Sequence, residues 1–342
     1  MRRRRFLATL AAPAILSKLG HGEPARADGP IRVGTTNAIE NAPLFIAQDR
    51  GFFREQGIDV QFVPFATADD VIAPLTAGAI DVAAGTPSAT LYNAIGNGST
   101  LKIVADMGTA TPGFGYNLLV VRKALSDSGK VKSIHDLKGL TVADVAAGST
   151  STSTLNEALK SVGLSLDDIK NVKMSYADME AALKAGTIDA ALFPDPEVSD
   201  AIDKGYATAI APSDTFYVNQ QLAVLLYGGA FIKTADPARR FMLAYLKGVR
   251  FFLGALHNGH FTDVNAGAVI DILRRHTAIK NPTLYTVITP AGINPNGSVN
   301  VPSLSKDLDL MRKQGFITSN VTAKQSVDSS FVSAAARTLG RV

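Results

Sequence analysis

Residues 75–83 read LTAGAIDVA and residues 183–191 read LKAGTIDAA, so this chain of 342 residues states nearly the same phrase twice, 108 positions apart. Solenoid repeats recur every 20–50 residues or so. A separation this long implies two copies of one domain plan. Within each copy the phrase reads as the end of a helix, a glycine that stops it, and the strand that follows. Gly78 and Gly186 fall where the chain leaves the helix in the left-handed conformation that a Cβ resists. Asp81 and Asp189 open the strand, where local hydrogen bonding near the turn accounts for them better than catalysis does.

The flanking sequence extends the match. IRVGT (31–35) is a short β-type run, and NAPLFIAQDRGFF predicts a helix with Asn41 as its cap, Pro43 in its first turn and Gly51 at its end. IDVQFVP (58–64) alternates as a half-buried strand does. A helix is expected from about Asp69 to Thr76, with Pro74 implying a kink or a late start. IDVAAG is then a strand, PSATLYNAIGNG a helix and LKIVADM a strand. From 140 the order returns: LTVADV strand, STSTLNEALKSVG helix, NVKMSYA strand, DMEAALKAG helix, IDAALFP strand, PEVSDAIDKG helix, YATAIAP strand.

Strands alternating with helices predict an α/β fold with two doubly wound parallel sheets, each covered by helices on both faces, and ligands at such sheets bind beyond the carboxyl ends of the strands. Two such lobes facing each other enclose a cleft. YNLLVVRK (116–123) leads out of the first lobe and NQQLAVLLYGG (219–229) returns, and two extended crossings imply a two-stranded hinge. The expected division is 28–118 plus 224–342 for lobe 1 and 119–223 for lobe 2. After the return, DPARRFMLAYLKGVRFFLGALHNG predicts a long amphipathic helix with Phe241, Leu243, Tyr245, Leu246, Val249, Phe252 and Leu253 on its buried face. AGAVIDILRRHT and SLSKDLDLMRKQG are further helices, expected to pack back on lobe 1.

The first 27 residues read as an export leader: a basic start, an apolar stretch from Phe6 to Leu19 too short to span a bilayer, and Ala25-Arg26-Ala27 as the small-x-small cleavage pattern. Cleavage near Ala27 would start the mature chain near Asp28, in the periplasm. Arg3-Arg4-Arg5-Phe6-Leu7 resembles the core of a twin-arginine signal, with an ordinary Sec leader as the alternative. Residues 1–27 hold six of the 34 basic residues and one of the 30 acidic ones, leaving 28 against 29. The net charge of +4 therefore belongs to the leader and gives no reason to expect a nucleic-acid or membrane partner. The chain has no cysteine, which excludes disulfides, thiolate metal sites and a cysteine nucleophile.

APLFIAQDRGFFREQGIDV, LTAGAIDVAAG, LKIVAD, DLKGLTVADVAAGSTSTSTLNEALKSVGL and LKAGTIDAALFPDP, in this order, resemble the ABC-transporter periplasmic solute-binding proteins of the sulfonate, taurine and nitrate group, which also includes binding proteins for thiamine-pyrimidine precursors. The likeness covers nearly all of the mature chain, down to NPNGSVNVPSLSKDLDLMRKQG. It implies a type II periplasmic-binding fold whose lobes close over one small-molecule ligand, as a monomer that delivers it to a membrane permease driven by an ATPase subunit. It also implies that the chain is not an enzyme and needs no cofactor.

Both the strand-end rule and the family pattern place ligand-binding residues in the loops after the strands. In lobe 1 these are Thr35, Thr36, Asn37 and Asn41; Gly85, Thr86 and Ser88; and Met107 and Gly108. In lobe 2 they are Ser149, Thr150, Ser151 and Thr152; Tyr176; and Asp195 and Glu197. GSTSTSTLNEAL carries the most information, because Gly148 allows close backbone approach while hydroxyls and free N–H groups at a helix start suit an anion. That points to a sulfonate or a carboxylate, with an aromatic or alkyl remainder, or to an oxyanion; capping of the helix is the structural alternative. Asp195 and Glu197 argue for a ligand with an amine or hydroxyl donor, or cap the helix at Pro196. Tyr116, Tyr176, Phe216 and Tyr217 are available for an apolar wall.

An enzyme is the rival class. His135, His257, His260 and His276 form no HExxH pattern, and the chain has no GxSxG elbow, Walker A loop or intact GxGxxG. A pyrimidine or thiamine-precursor binder, or a biosynthetic enzyme on the same fold, is the alternative to the anion binder.

Overall fold

The computed structural model describes residues 29–342. The leader over 1–27 and its cleavage near Ala27 lie outside the described residues. Among the described residues ten strands are present: β1 Ile31–Thr35, β2 Val60–Pro64, β3 Val82–Gly85, β4 Lys102–Thr109, β5 Asn117–Arg122, β6 Thr141–Asp144, β7 Lys170–Lys173, β8 Ala190–Pro194, β9 Ala207–Pro212 and β10 Gln221–Tyr227. They form two five-stranded sheets, ordered β2-β1-β3-β10-β4 and β7-β6-β8-β5-β9. The orders are the same plan twice, with β10 in the first sheet occupying the place β5 takes in the second.

The expectation of all-parallel sheets is corrected here. β10 runs antiparallel to β3 and β4, and β5 runs antiparallel to β8 and β9. The reason is geometric. β4 ends at the cleft, so the chain enters the second lobe from the cleft side, where the parallel strands of that sheet also end, and must run against them. β10 returns by the same route. The two crossings are therefore the antiparallel strand of each sheet, a two-stranded hinge continuous with both lobes.

The repeated phrase has a matching job in each lobe. Gly78 and Gly186 take φ of 72° and 74°. The Asp81 carboxylate accepts from the backbone N–H of Arg32 at 2.9 Å and from the Arg32 guanidinium at 3.0 Å, across to β1. Asp189 likewise accepts from the Thr141 backbone N–H at 3.0 Å and from Arg122 at 3.4 Å. Each aspartate locks the central strand to the first strand of its sheet.

Two local expectations change. The helix containing Pro74 runs only over Ile72–Thr76, so the proline takes the late start. Asn41 does not cap the helix Ala42–Asp49: a 3-10 turn, Ile39–Asn41, precedes that helix, and the Asn41 amide donates to Thr36 Oγ1 at 2.9 Å instead.

Each sheet is covered on both faces by apolar side chains. The long helix Asp236–Leu253 supplies Phe241, Tyr245, Leu246, Val249 and Phe252 to the lobe 1 core, while Leu243 and Leu253 are only partly buried. Gly248 lets this helix cross Ala42–Asp49 closely, since a Cβ there would lie 2.2 Å from the Pro43 carbonyl oxygen. The final helix, Ser330–Leu339, packs Phe331 and Val332 into the same core.

Candidate functional site

The loops at the carboxyl ends of β1 and β8 face each other across the hinge. Thr35 and Asn41 are buried, Thr36 is half-buried and Asn37 exposed. Glu40, between them, accepts a hydrogen bond from the Tyr116 hydroxyl. Tyr116 sits at the entry to β5, and its carbonyl accepts from the Asp195 backbone N–H at 3.2 Å. The ring expected to form an apolar wall thus carries a polar bridge between lobe 1 and the hinge.

Acidic groups dominate the electrostatics. Burial pushes the Tyr116 hydroxyl well above its usual range, and Glu40, Tyr176 and Glu197 push it in the same direction. Tyr176 is raised by burial and then by Glu40, Glu197 and Asp144. Glu197 is raised by burial, with Glu40, Asp195 and Asp200 adding to it against a backbone hydrogen bond. Asp195 is raised by burial against its bonds to the Ser199 hydroxyl and the Thr289 amide. The Thr289 bond, 2.9 Å long, ties the end of β8 to the loop that follows the helix Ala266–His276. Asp195 is therefore a tie between segments, while Glu197 projects from the start of the helix Glu197–Asp203.

Four of the hydroxyls in the candidate loops, those of Thr86, Ser88, Ser149 and Thr152, already have partners. Thr86, Ser88 and Thr90 donate to the Asp69 carboxylate at 3.2, 2.7 and 3.1 Å, so an aspartate occupies the hydroxyl cradle at the start of the helix Ala89–Gly96. Ser88 also caps that helix through the Leu91 N–H. At the start of the helix Thr150–Lys160, Ser149 caps the Thr152 N–H and donates to the Ala146 carbonyl. Thr152 donates to the same carbonyl and accepts from Lys173. Thr150 and Ser151 are half-buried.

The expected close approach at Gly148 is made by the other lobe. Its carbonyl accepts from the Ala89 N–H at 3.0 Å, and a Cβ at Gly148 would lie 2.9 Å from the Ala89 side chain. Met107 is in the lobe 1 core, Gly108 donates its N–H to Asp106 at 2.8 Å, and Gly85 pairs with Val224 of β10.

The structure thus groups Asn41 with Thr36, groups Tyr176 and Glu197 with Glu40 and Tyr116, and sets Ala89 against Gly148. Sequence reasoning missed Glu40, Asp69, Asp144 and Lys173. Asp144 ends β6 and pairs with Lys173 at the end of β7. Both lie inside the predicted strands LTVADV and NVKMSYA, so a search confined to the loops beyond the strands passed over them. Among the described residues, no group of three or more His, Cys, Asp or Glu side chains could hold a metal ion, and no helix is long and apolar enough to cross a membrane.

Solved structures agree with this architecture. The periplasmic aliphatic sulphonate binding protein SsuA from Escherichia coli superposes with a TM-score of 0.71 at 18% identity, covering 87% of this chain and 97% of that one. The periplasmic nitrate-binding protein NrtA from Synechocystis PCC 6803 superposes with a TM-score of 0.71 at 15% identity, covering 91% of this chain and 89% of that one. Both likenesses show the fold, the type II periplasmic-binding architecture. In sequence, a Brucella abortus protein named provisionally as a binding protein is 30% identical over 197 residues, 56% of this chain and 54% of that one. The chain spans about half the length of the relatives it matches. The NMT1/THI5-like family model matches residues 38–255, more than half of the chain, and the chain belongs to that family.

Proposed function

We propose that this protein is the periplasmic solute-binding component of an ABC-type importer, a monomer that captures one small molecule between its lobes and hands it to a permease and ATPase. The observation that carries the reading is the meeting of Glu40, Tyr116, Tyr176 and Glu197 from both sides of the hinge. A ligand touching both lobes stabilises the closed arrangement, because only differential affinity shifts such an equilibrium. The family match and the binding-protein names of its relatives support a binder over an enzyme.

The sulfonate, carboxylate or oxyanion ligand rests on the helix start at Ser149–Thr152. Two observations favour the second reading, a ligand rich in hydrogen-bond donors, as an aminopyrimidine is: the Ser149 and Thr152 hydroxyls are engaged within their own turn, and Asp69 takes those of Thr86 and Ser88.

Because the chain has no cysteine, Asn97→Cys and Asp203→Cys can carry a dye pair, one exposed site on each lobe. Ethanesulfonate, benzoate, nitrate, benzylamine and 4-aminopyrimidine are then screened for thermal shift and dye separation. A ligand at about a hundred times its Kd adds roughly 2.7 kcal/mol, a shift of several degrees. The expected outcome is a shift accompanied by a shorter separation, with the ligand recovered unchanged by mass spectrometry. A shift without closure removes the interlobe site, and a recovered product makes the protein an enzyme.

A further inference from the structure

We infer that the ligand is a small organic cation, its protonated nitrogen held between Glu40 of lobe 1 and Glu197 of lobe 2 beside the rings of Tyr116 and Tyr176. The inference rests on the interlobe reading above and narrows it to one charge class.

The charge balance comes first. Four carboxylates, those of Glu40, Asp144, Asp195 and Glu197, act on the two tyrosine hydroxyls or on one another from loops of both lobes. The basic groups facing them are Lys173, already paired with Asp144 and bonded to Thr152 Oγ1, and His260 near Asp195. Glu40 accepts from Tyr116, an uncharged partner. Gathering acidic groups in a half-buried site without matching cations is costly, and a bound cation offsets that cost.

The second observation is independent of charge. Among the described residues, Asn41 Oδ1 and Asp144 Oδ2 are buried with no hydrogen-bond partner, on residues exposed by only 2% and 0%. Asn41 ends the 3-10 turn that follows β1, and Asp144 ends β6, the strand that takes the place of β1 in the second sheet. Asn41 follows Glu40 directly and turns its amide nitrogen to Thr36, which leaves the oxygen as the free end. Asp144 acts on the Tyr176 hydroxyl. Both free atoms are acceptors. A donor-bearing ligand can satisfy them, whereas an anion would leave both orphaned and add a like charge.

A metal ion is the other cation such a site could hold, but the carboxylates are not grouped closely enough to ligate one. Two tyrosine rings beside the acids instead suit an organic cation, whose positive charge is attracted to ring faces as well as to carboxylates.

The test is calorimetric titration of the full protein with benzylamine, benzamidine and 4-aminopyridine, each protonated at neutral pH, against benzenesulfonate, benzoate and nitrate, with the dye pair reporting closure. Expected is binding and closure by at least one cation and by none of the anions, with Glu40→Gln and Glu197→Gln each weakening the cation about tenfold or more. Glutamine keeps the shape and, at 40, the acceptor for Tyr116; matched melting curves of both variants show that folding is intact. Closure by anions alone overturns the cation and leaves the binding-protein reading standing. Cation binding untouched by both variants overturns the placement between Glu40 and Glu197. Closure by neither class overturns this inference and the interlobe reading together.

Discussion

The two lobes share one strand plan and differ in how firmly it is locked. In lobe 1, Asp81 is nearly sealed, with 5% of its side chain exposed, and its carboxylate holds Arg32 through both backbone and guanidinium at 2.9 and 3.0 Å. In lobe 2, Asp189 keeps 24% exposure, and its arginine comes from the inserted strand β5 at 3.4 Å. Lobe 1 also carries the long helix Asp236–Leu253 and the C-terminal helices, for which lobe 2 has no counterpart. The difference teaches that a duplicated phrase preserves a mechanical function, while the surroundings set how much that function contributes.

The sharpest way to break the comparison is to remove both locks in turn. Asp81→Ala takes a nearly sealed acceptor from the Arg32 N–H, while the Arg32 guanidinium, 38% exposed, keeps its bond to the Gly78 carbonyl, and the change is expected to cost about 2–3 kcal/mol. Asp189→Ala loses equivalent bonds where water can replace them, and is expected to cost about 1–2 kcal/mol. Urea midpoints of the two variants measure the contrast. Equal losses would show that the lobes do not differ in the way their burial indicates.

The next effect separates the lobe 1 side of the hinge from the rest by pH. Asp307, on the helix Val301–Lys313, is pushed up to about 7 by burial, against bonds from Tyr217 at 2.6 Å and Gln220 at 3.1 Å. Asp106 is pushed up to about 6 by burial, although Asn294, Gln221, Gly108 and Thr109 all donate to it. In the unfolded chain both carboxyls lose their protons near pH 4. Between that pH and their folded values, the native state holds protons that the unfolded state has released. Stability therefore falls as pH rises from about 4 to about 7, by up to about 1.4 kcal/mol per pH unit for each group, and levels off above. Asp307→Asn should flatten the upper part of that slope in melting curves taken across the range. An unchanged slope would assign it to other carboxyls.

The same contrast explains what could be read from the residues alone. Helix and strand order, the stopping glycines and the two crossings follow from local pattern, because periodicity and turn chemistry act within a few residues. The direction of β5 and β10 does not, since alternation carries no sense of direction and only the route across the cleft imposes one. The site divides similarly. The strand-end rule named Asn41, Tyr176 and Glu197 as candidates, but the partners those side chains meet come from far along the chain. Asp69 reaches Thr86 and Ser88 from 17 and 19 residues away, and Tyr116 reaches Glu40 across 76. Glu40 was hidden by its neighbour, because Asn41 before an apolar run looks like a cap, and only the intervening 3-10 turn shows that it is not.

The smallest expected effect lies where the lobes touch outside the hinge. Lys306, on the helix that carries Asp307, pairs with Glu157 of the lobe 2 helix Thr150–Lys160 at 2.5 Å, and Lys160 pairs with the same carboxylate at 3.2 Å. With half of each lysine side chain in water or more, Lys306→Ala should cost well under about 1 kcal/mol and leave the melting point almost unchanged. Its geometry nevertheless spans the two lobes, unlike the locks at Asp81 and Asp189, which lie within one. The variant should therefore lengthen the mean dye separation of the ligand-free protein while leaving stability in place. A lost degree of melting temperature with no change in separation would make the pair an ordinary surface contact, and would leave the lobes to the hinge network of Gln220, Tyr217 and Asp307 together with the Ala89–Gly148 and Asp195–Thr289 bonds.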